Sequence, residues 1–162
     1  MTPAADVVAA LHAAGATVAT AESLTGGLLF ATLVDVPGAS DVVRGGVVAY
    51  AADVKIEVLG VDAALIADRG TVDAEVAAQM ATQVCARLGS TYGLSTTGVA
   101  GPDASEGKPP GTVHVAIAGP GGVVTTQLDL AGDRASIRRQ TVDALFSLLV
   151  ARLEEESRSA RG

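Results

Sequence analysis

The chain has 162 residues, a length that fits one domain with a substantial buried core and needs no disulfide or metal for stability. Hydrophobic residues make up 49% of the sequence but aromatic residues only 2%, so Ala, Val, Leu and Ile must fill that core. The formal net charge of -7 argues against a duplex nucleic-acid partner, which requires clustered Lys and Arg. It leaves room for a small anionic ligand, because two or three basic groups suffice for one phosphate.

Cysteine use and hydropathy indicate the compartment. The single cysteine, Cys85, excludes an internal disulfide and fits a reducing environment. The sequence has no recognisable signal peptide and no apolar run of membrane-spanning length. We therefore expect a cytoplasmic protein without a membrane partner.

Helices and strands are predicted in alternation along the chain. Thr2 is expected to cap a first helix that Gly15 ends, and β-branched residues over 16–20 predict a strand. In chain order there follow a helix over 26–34, a strand over 43–51, helices over 52–60, 62–70 and 71–89, a strand over 91–98, a loop over 99–111, a hairpin over 112–130 and a helix over 133–156.

This order predicts a single α/β domain over 1–162 whose mixed sheet is covered by helices on both faces. The sequence contains no internal repeat and no domain linker. Residues 157–162 are expected to form a frayed tail.

Hydroxyls and glycines cluster where the first strand meets the second helix, in Glu22-Ser23-Leu24-Thr25-Gly26-Gly27. Glycines at such a junction let a ligand approach free N–H groups, and a serine there can serve as a nucleophile. The alternative is an ordinary helix start, with Ser23 or Thr25 as the N-cap. The stretch matches neither a Walker A loop nor a G-x-S-x-G elbow, so both interpretations stay open.

Two further features follow later strands. Tyr50 comes at the end of the second strand, and Lys55 lies in the helix after it. A desolvated lysine could act as a base toward a serine. The alternative is a solvated helix lysine. Thr97 and Gly98 lead from a strand into the long loop over 99–111, where ligands commonly bind in α/β sheets; the alternative is an ordinary turn.

Arginines open the last helix. Asp133 is a candidate cap, and Arg134 and Arg138 fall on one face, where they could grip a carboxylate or phosphate. The alternative is a surface salt-bridge face with Asp133 and Asp143.

Histidines and cysteine offer less: His114 is interpreted as a satisfied strand residue, and the sequence presents no cluster typical of a metal site.

Five segments together resemble a known family: "TAESLTGG", "RGGVVAYAADVK", "STTGVAGPD", "KPPGTVHVAIA" and "GDRASIRRQTVDAL". In order and spacing they are similar to the CinA C-terminal domain family, which includes stand-alone nicotinamide-nucleotide amidohydrolases of the PncC type. The resemblance covers about residues 7–153.

The resemblance implies a three-layer α/β/α sandwich that deamidates nicotinamide mononucleotide to nicotinic acid mononucleotide and ammonia, with no metal or organic cofactor. It implies Ser23 as nucleophile and Lys55 as its base, with N–H groups over 23–27 stabilising either the oxyanion or the phosphate. The implied substrate-binding residues are Glu22, Thr25, Gly26, Gly27, Tyr50, Thr97, Gly98, Ala100, Gly101, Arg134, Arg138 and Arg139.

One position departs from the family pattern. The family usually carries a polar pair after the tyrosine, as in "YSNE.K", and this chain has Ala51 and Ala52. The alternative function is therefore a non-catalytic module that binds a nucleotide or a partner.

A small Ala/Val-rich domain also leads us to expect a homo-oligomer.

Overall fold

The protein is built on one mixed five-stranded sheet, described over residues 2–162 in a computed structural model. The strands are β1 (Val18–Glu22), β2 (Val43–Val48), β3 (Tyr92–Gly98), β4 (Thr112–Gly119) and β5 (Gly122–Asp129). Their order across the sheet is β2-β1-β3-β4-β5. The first three are parallel to one another, and β4 and β5 add two antiparallel partners. The predicted mixed sheet is confirmed.

Helices cover both faces of this sheet. They are α1 (Pro3–Ala14), α2 (Leu28–Val34), α3 (Ala52–Glu57), α4 (Ala63–Arg69), α5 (Ala74–Leu88) and α6 (Arg134–Ala160), with a short 3-10 helix at Ala39–Asp41. Alternation along β1 separates two cores: Val18 packs with α1, α2 and α6, whereas Ala19 and Ala21 pack with α5. The architecture is the three-layer α/β/α sandwich.

Small residues bring α5 close to the sheet. Ala77 and Ala81 of this helix pack on Ala116 and Ala118 of β4. Gly93 in β3 completes the contact, because a Cβ atom there would overlap the carbonyl oxygen of Ala81. The aromatic-poor composition is therefore matched by close packing of backbone against backbone.

Two predicted boundaries near the start of the chain are wrong. β1 continues to Glu22 because residues up to that position pair with both neighbouring strands, which outweighs the low strand propensity of glutamate. Helix α2 begins at Leu28 because Gly26 and Gly27 have φ values of 60° and 102°, outside the helical region.

The predicted frayed tail is also wrong in part, because α6 continues to Ala160. Neither Gly nor Pro occurs over residues 134–161. Arg152 and Glu156 form an (i, i+4) ion pair with an N–O distance of 2.8 Å, and the Tyr92 hydroxyl donates to Glu156. The predicted caps are confirmed: Thr2 accepts from the Ala5 amide and Asp133 from the Ser136 amide.

The fold brings the carboxyl ends of β1, β2 and β3 to one edge of the sheet. The segments that leave this edge are 23–27, 49–51 and 99–111, which contain the predicted site residues. Within residues 2–162, no helix combines the length and the apolar character needed to cross a membrane.

Candidate active site

A cleft of about 430 Å³ opens at this edge of the sheet. Six residues of the predicted site line it: Ser23, Tyr50, Gly98, Ala100, Gly101 and Arg134. Five more lining residues belong to the two segments that the sequence indicated, namely Leu24, Val99, Pro102, Asp103 and Ser105. Thr71 and Val72 also line the cleft, and no sequence pattern indicated them. The volume lies in the range typical of small-molecule sites.

Lys55 and Ser23 meet at the base of this cleft. The Lys55 Nζ atom lies 2.9 Å from the Ser23 Oγ atom. It also donates to the carbonyl oxygens of Ala49, at 2.8 Å, and Tyr50, at 3.0 Å. The lysine is only 1% exposed and the serine 7%, so this contact is largely withdrawn from water. The predicted pairing of serine and lysine is thus present in the geometry.

The partners of Lys55 differ in what they can do with a proton. The two carbonyl oxygens only accept, whereas the hydroxyl of Ser23 can also donate. A neutral amine has two N–H bonds and one lone pair. With both N–H bonds given to Ala49 and Tyr50, its lone pair is directed at the Ser23 hydroxyl, which is the arrangement that proton abstraction requires.

Burial makes the neutral amine accessible near physiological pH. Desolvation lowers the pKa of Lys55 from 10.5 to about 8, and the negative charge of Glu106 opposes this by favouring the ammonium form. An appreciable fraction of the lysine is therefore unprotonated at mildly alkaline pH. A solvated helix lysine, the alternative interpretation of this residue, is excluded by its burial.

Local structure explains how a lysine comes to lie there. β2 ends at Val48, and α3 begins only four residues later. Lys55 lies in the first turns of α3, and its amide N–H bonds back to the Ala51 carbonyl. Its side chain can therefore return to the strand end, where the carbonyls of residues 49 and 50 are free of sheet partners and receive it.

Glu22, which we predicted as a substrate-binding residue, has a structural role and does not line the cleft. Its carboxylate accepts from the amides of Gly27, Leu29 and Phe30 at 3.2, 2.8 and 3.1 Å. The side chain is 1% exposed and fills the N-terminus of α2. Because a helix start leaves amide donors unsatisfied, Glu22 supplies the cap that we expected from Ser23 or Thr25.

The same contacts decide which amides of the turn remain free. The Ser23 amide donates to the Thr96 carbonyl, Gly26 to Ser23, and Gly27 to Glu22. Among residues 2–162, the amides of Leu24 and Thr25 have no acceptor. These two are the donors in the 23–27 turn that could stabilise an oxyanion.

Arg138 holds this turn in place rather than lining the cleft. Its guanidinium donates to the carbonyls of Leu24, at 3.0 Å, and Thr25, at 2.8 Å. The Leu24 carbonyl and the Thr25 N–H belong to one trans peptide and point in opposite directions. The hydrogen bond from Arg138 to this carbonyl therefore directs the Thr25 N–H away from Arg138. The prediction of Arg138 as a phosphate ligand is replaced by this positioning role.

The other two arginines also differ. Arg134 lines the cleft and bridges two of its walls, donating to the Gly101 carbonyl at 2.7 Å and to the Tyr50 hydroxyl at 3.1 Å. Arg139 is exposed and lies outside the cleft. Among residues 2–162 no salt bridge joins these arginines to Asp133 or Asp143, so the predicted salt-bridge face is absent there.

Two predicted threonines lie beneath the cleft instead of in it. Thr25 is fully buried, and its hydroxyl lies 2.8 Å from that of Thr96. Thr97 donates to the Thr71 carbonyl at 2.8 Å, which ties the end of β3 to the segment before α5. Gly26 and Gly27 form the turn itself without lining the cleft.

The two alanines that depart from the family pattern also lie outside the cleft. Ala51 is exposed and occupies the N-cap position of α3 with extended backbone angles, and Ala52 is the first helical residue. Lys55 is held by main-chain carbonyls, which do not depend on side chains at positions 51 and 52. The absence of polar side chains at positions 51 and 52 therefore leaves the contact between Ser23 and Lys55 intact.

Other titratable groups of interest lie away from this contact. The His114 Nδ1 atom is buried and has no partner among residues 2–162, which contradicts our expectation of a satisfied strand residue. Desolvation lowers the pKa of His114. In the same described range, no group of three His, Cys, Asp or Glu side chains is arranged to hold a metal ion.

Comparison with known proteins assigns the chain to a family. The sequence profile of the CinA C-terminal domain matches residues 1–153. A CinA-like protein of Frankia casuarinae is 54% identical over 134 residues, covering 83% of this chain and 31% of that protein. A CinA-like protein of Anaeromyxobacter sp. is 48% identical over 144 residues, covering 88% of this chain and 35% of that protein. The chain thus spans about a third of the length of the curated relatives it matches.

Solved structures agree with this assignment. The CinA superfamily protein KP700603 of Klebsiella pneumoniae superposes with a TM-score of 0.92 at 30% identity, covering 94% of this chain and 96% of that one. The competence/damage inducible protein CihA of Agrobacterium tumefaciens gives a TM-score of 0.89 at 34% identity, covering 94% and 93%. The chain belongs to the CinA C-terminal domain family.

Proposed function

We propose that the protein hydrolyses the carboxamide of nicotinamide mononucleotide, releasing ammonia and nicotinic acid mononucleotide. The observation that carries this proposal is the buried 2.9 Å contact between Lys55 Nζ and Ser23 Oγ. Among the partners of Lys55, Ser23 is the one with which the lysine can exchange a proton. A serine activated by an adjacent amine is a nucleophile suited to acyl transfer.

In the first half of the reaction, the neutral Lys55 amine takes the Ser23 proton as the serine oxygen attacks the carboxamide carbon. The resulting tetrahedral adduct has a negatively charged oxygen, which the free amides of Leu24 and Thr25 would stabilise. Lys55 then returns the proton to the leaving nitrogen. The C–N bond breaks, ammonia leaves and an acyl ester on Ser23 remains.

In the second half, water replaces ammonia. Lys55, again neutral, takes a proton from the water as its oxygen attacks the ester carbon. The C–O bond to Ser23 breaks, and the serine oxygen recovers the proton from Lys55. The products are the carboxylic acid and the original hydroxyl, so the cycle uses one water and needs no metal or organic cofactor.

The rest of the cleft suits a nucleotide with one phosphate. Tyr50 lines the cleft and is 61% exposed, so a pyridinium ring could stack on it. Arg134 is the basic side chain of the cleft and would meet the phosphate, since guanidinium groups bind phosphate by two parallel hydrogen bonds. In this assignment the amide donors of the 23–27 turn serve the oxyanion.

The test is an assay of the purified protein for ammonia and nicotinic acid mononucleotide. We expect turnover of nicotinamide mononucleotide, little turnover of free nicotinamide, and no effect of a metal chelator. Ser23→Ala should abolish turnover, whereas Ser40→Ala, at an exposed serine remote from the cleft, should retain it. A folded wild-type protein that binds the nucleotide without forming product would contradict the proposal and support the binding-module alternative.

A further inference from the structure

The loop over 99–111 forms a small hairpin at the mouth of the cleft. Ser105 and Lys108 pair as an isolated bridge, with amide–carbonyl distances of 3.0 and 2.9 Å in the two directions. Glu106 and Gly107 between them have φ values of 54° and 74°, as in a type I′ turn. Ser105 lines the cleft, so the position of this hairpin shapes one of its walls.

Glu106 occupies a backbone conformation that its residue type disfavours. It is the only non-glycine residue with positive φ in the described range 2–162. Glutamate lacks the short polar side chain that lets Asn and Asp adopt this conformation readily. Such outliers persist where surrounding contacts enforce them, and they concentrate at functional sites.

The contacts that enforce this conformation come from Thr71 and Val72, which also line the cleft. The Glu106 carboxylate accepts from the Thr71 amide, at 2.5 and 3.1 Å, and from the Val72 amide at 3.1 Å. The Thr71 hydroxyl donates to it at 3.2 Å. Lys108 donates to the Val72 carbonyl, so Glu106 and Lys108 of the hairpin are both hydrogen-bonded to the segment of Thr71 and Val72.

The receiving segment is shaped for this carboxylate. A Cβ atom at Gly70 would overlap the Glu106 side chain, and the φ of 80° at Gly70 also favours glycine. Thr71 and Val72 line the cleft, and Thr97 fixes the Thr71 carbonyl from below. The Glu106 contact therefore joins two cleft walls that come from segments far apart in the chain.

We propose that Glu106 is a positioning residue, which fastens the 105–108 hairpin to the segment over 70–72 and so sets the shape and the charge of the space above Ser23 and Lys55. The part of this proposal that concerns catalysis rests on the proposed function. The part that concerns the contact itself does not.

The charged groups around Glu106 indicate how the contact would act on the site. Lys108 comes from the same hairpin, Asp103 from the loop before it, Arg134 from α6 and Lys55 from α3. The negative charge of Glu106 favours the ammonium form of Lys55. Removing that charge should shift the titration of Lys55 to lower pH.

The first measurement is amide hydrogen exchange at Thr71 and Val72 in the 162-residue chain. The variants are Glu106→Gly, which removes the carboxylate and the backbone conflict, and Glu106→Gln, which keeps an acceptor oxygen without charge. The matched control is Glu155→Gln, at an exposed glutamate of α6. We expect exchange at both amides to rise about tenfold or more in Glu106→Gly, less in Glu106→Gln, and not in the control. Unchanged exchange in Glu106→Gly would overturn the proposal.

The second measurement follows the ¹³Cε signal of Lys55 with pH in wild type and Glu106→Gln. A lower titration midpoint in the variant supports the electrostatic link, and an unchanged midpoint overturns it. With nicotinamide mononucleotide, Glu106→Gly should lose about tenfold in kcat/KM, mainly through KM, because a cleft wall has moved. Full activity despite lost protection would also overturn the positioning role. If wild type shows no turnover, the proposed function fails, while exchange and titration still decide the role of Glu106.

Discussion

Glu22 and Lys55 are both 1% exposed charged residues at the same edge of the sheet, yet their partners give them opposite roles. Glu22 is surrounded by backbone amides, which only donate, so its carboxylate is committed to the start of α2. Lys55 faces two carbonyls and one hydroxyl, and the hydroxyl alone can exchange a proton. Burial by itself therefore does not mark a catalytic group; the chemistry of the partners does.

The largest effect is expected from removing the chemical member of this pair. Lys55→Met keeps most of the side-chain volume but removes the base, so hydrolysis of nicotinamide mononucleotide should fall roughly 10³-fold or more. The variant should stay folded, because an apolar side chain is tolerated where a charge was buried. Steady-state kinetics and circular dichroism measure the two properties. Retention of activity in a folded Lys55→Met protein would contradict the assignment of Lys55 as the base and so the contrast with Glu22.

Removing the structural member should instead reduce stability. Glu22→Ala leaves three helix-start amides without their acceptor in a buried place, so the free energy of unfolding should fall by about 3 kcal/mol. Denaturant titration measures this, with Glu57→Ala, at an exposed glutamate of α3, as the control within about 0.5 kcal/mol of wild type. A Glu22→Ala protein as stable as wild type would show that these contacts contribute little.

The arginines of α6 extend the same distinction. Arg134 bridges Tyr50 and Gly101 inside the cleft, whereas Arg139 is exposed outside it. Arg134→Ala should raise KM for nicotinamide mononucleotide about tenfold with a smaller change in kcat, because the proposed phosphate contact would be lost. Arg139→Ala is the matched control and should leave both constants unchanged. Equal effects of the two substitutions would remove Arg134 as the phosphate ligand.

A small gain is expected at the helix start that lacks a cap. The N-terminus of α3 has Ala51 at the N-cap position, without the side-chain acceptor that Glu22 provides for α2. Ala51→Ser should stabilise the protein by about 1 kcal/mol, because serine accepts from a free amide of the first turn. Thermal unfolding measures the change. Ala52→Ser, one residue inside the helix, should give no such gain, and an equal gain would refute the capping explanation.

Sequence patterns predicted the part of the fold and site that depends on chain order. Parallel strands end at one edge of the sheet, and this brings together Ser23 after β1, Lys55 after β2 and Gly98 at the end of β3. The predicted helices on both faces follow from the same alternation.

The parts that sequence patterns could not predict depend on where individual side chains point. Glu22 and Ser23 are adjacent in sequence, but successive residues of a strand face opposite directions, so one enters α2 and the other the cleft. Arg138 and Arg134 share a helix face, yet one reaches the carbonyl of Leu24 and the other that of Gly101. Thr71 and Val72 carry no motif, and hydrogen bonds with Thr97 and Glu106 hold them at the cleft.

The measurement that tests the account most directly is the pH dependence of kcat/KM for nicotinamide mononucleotide. Burial lowers the pKa of Lys55 to about 8, and the proposed mechanism requires the unprotonated amine. The rate constant should therefore rise about tenfold per pH unit below that pKa and level off above it. A profile that is flat from about pH 6 to about pH 9, or that falls with rising pH in this range, would contradict the assignment of Lys55 as the base.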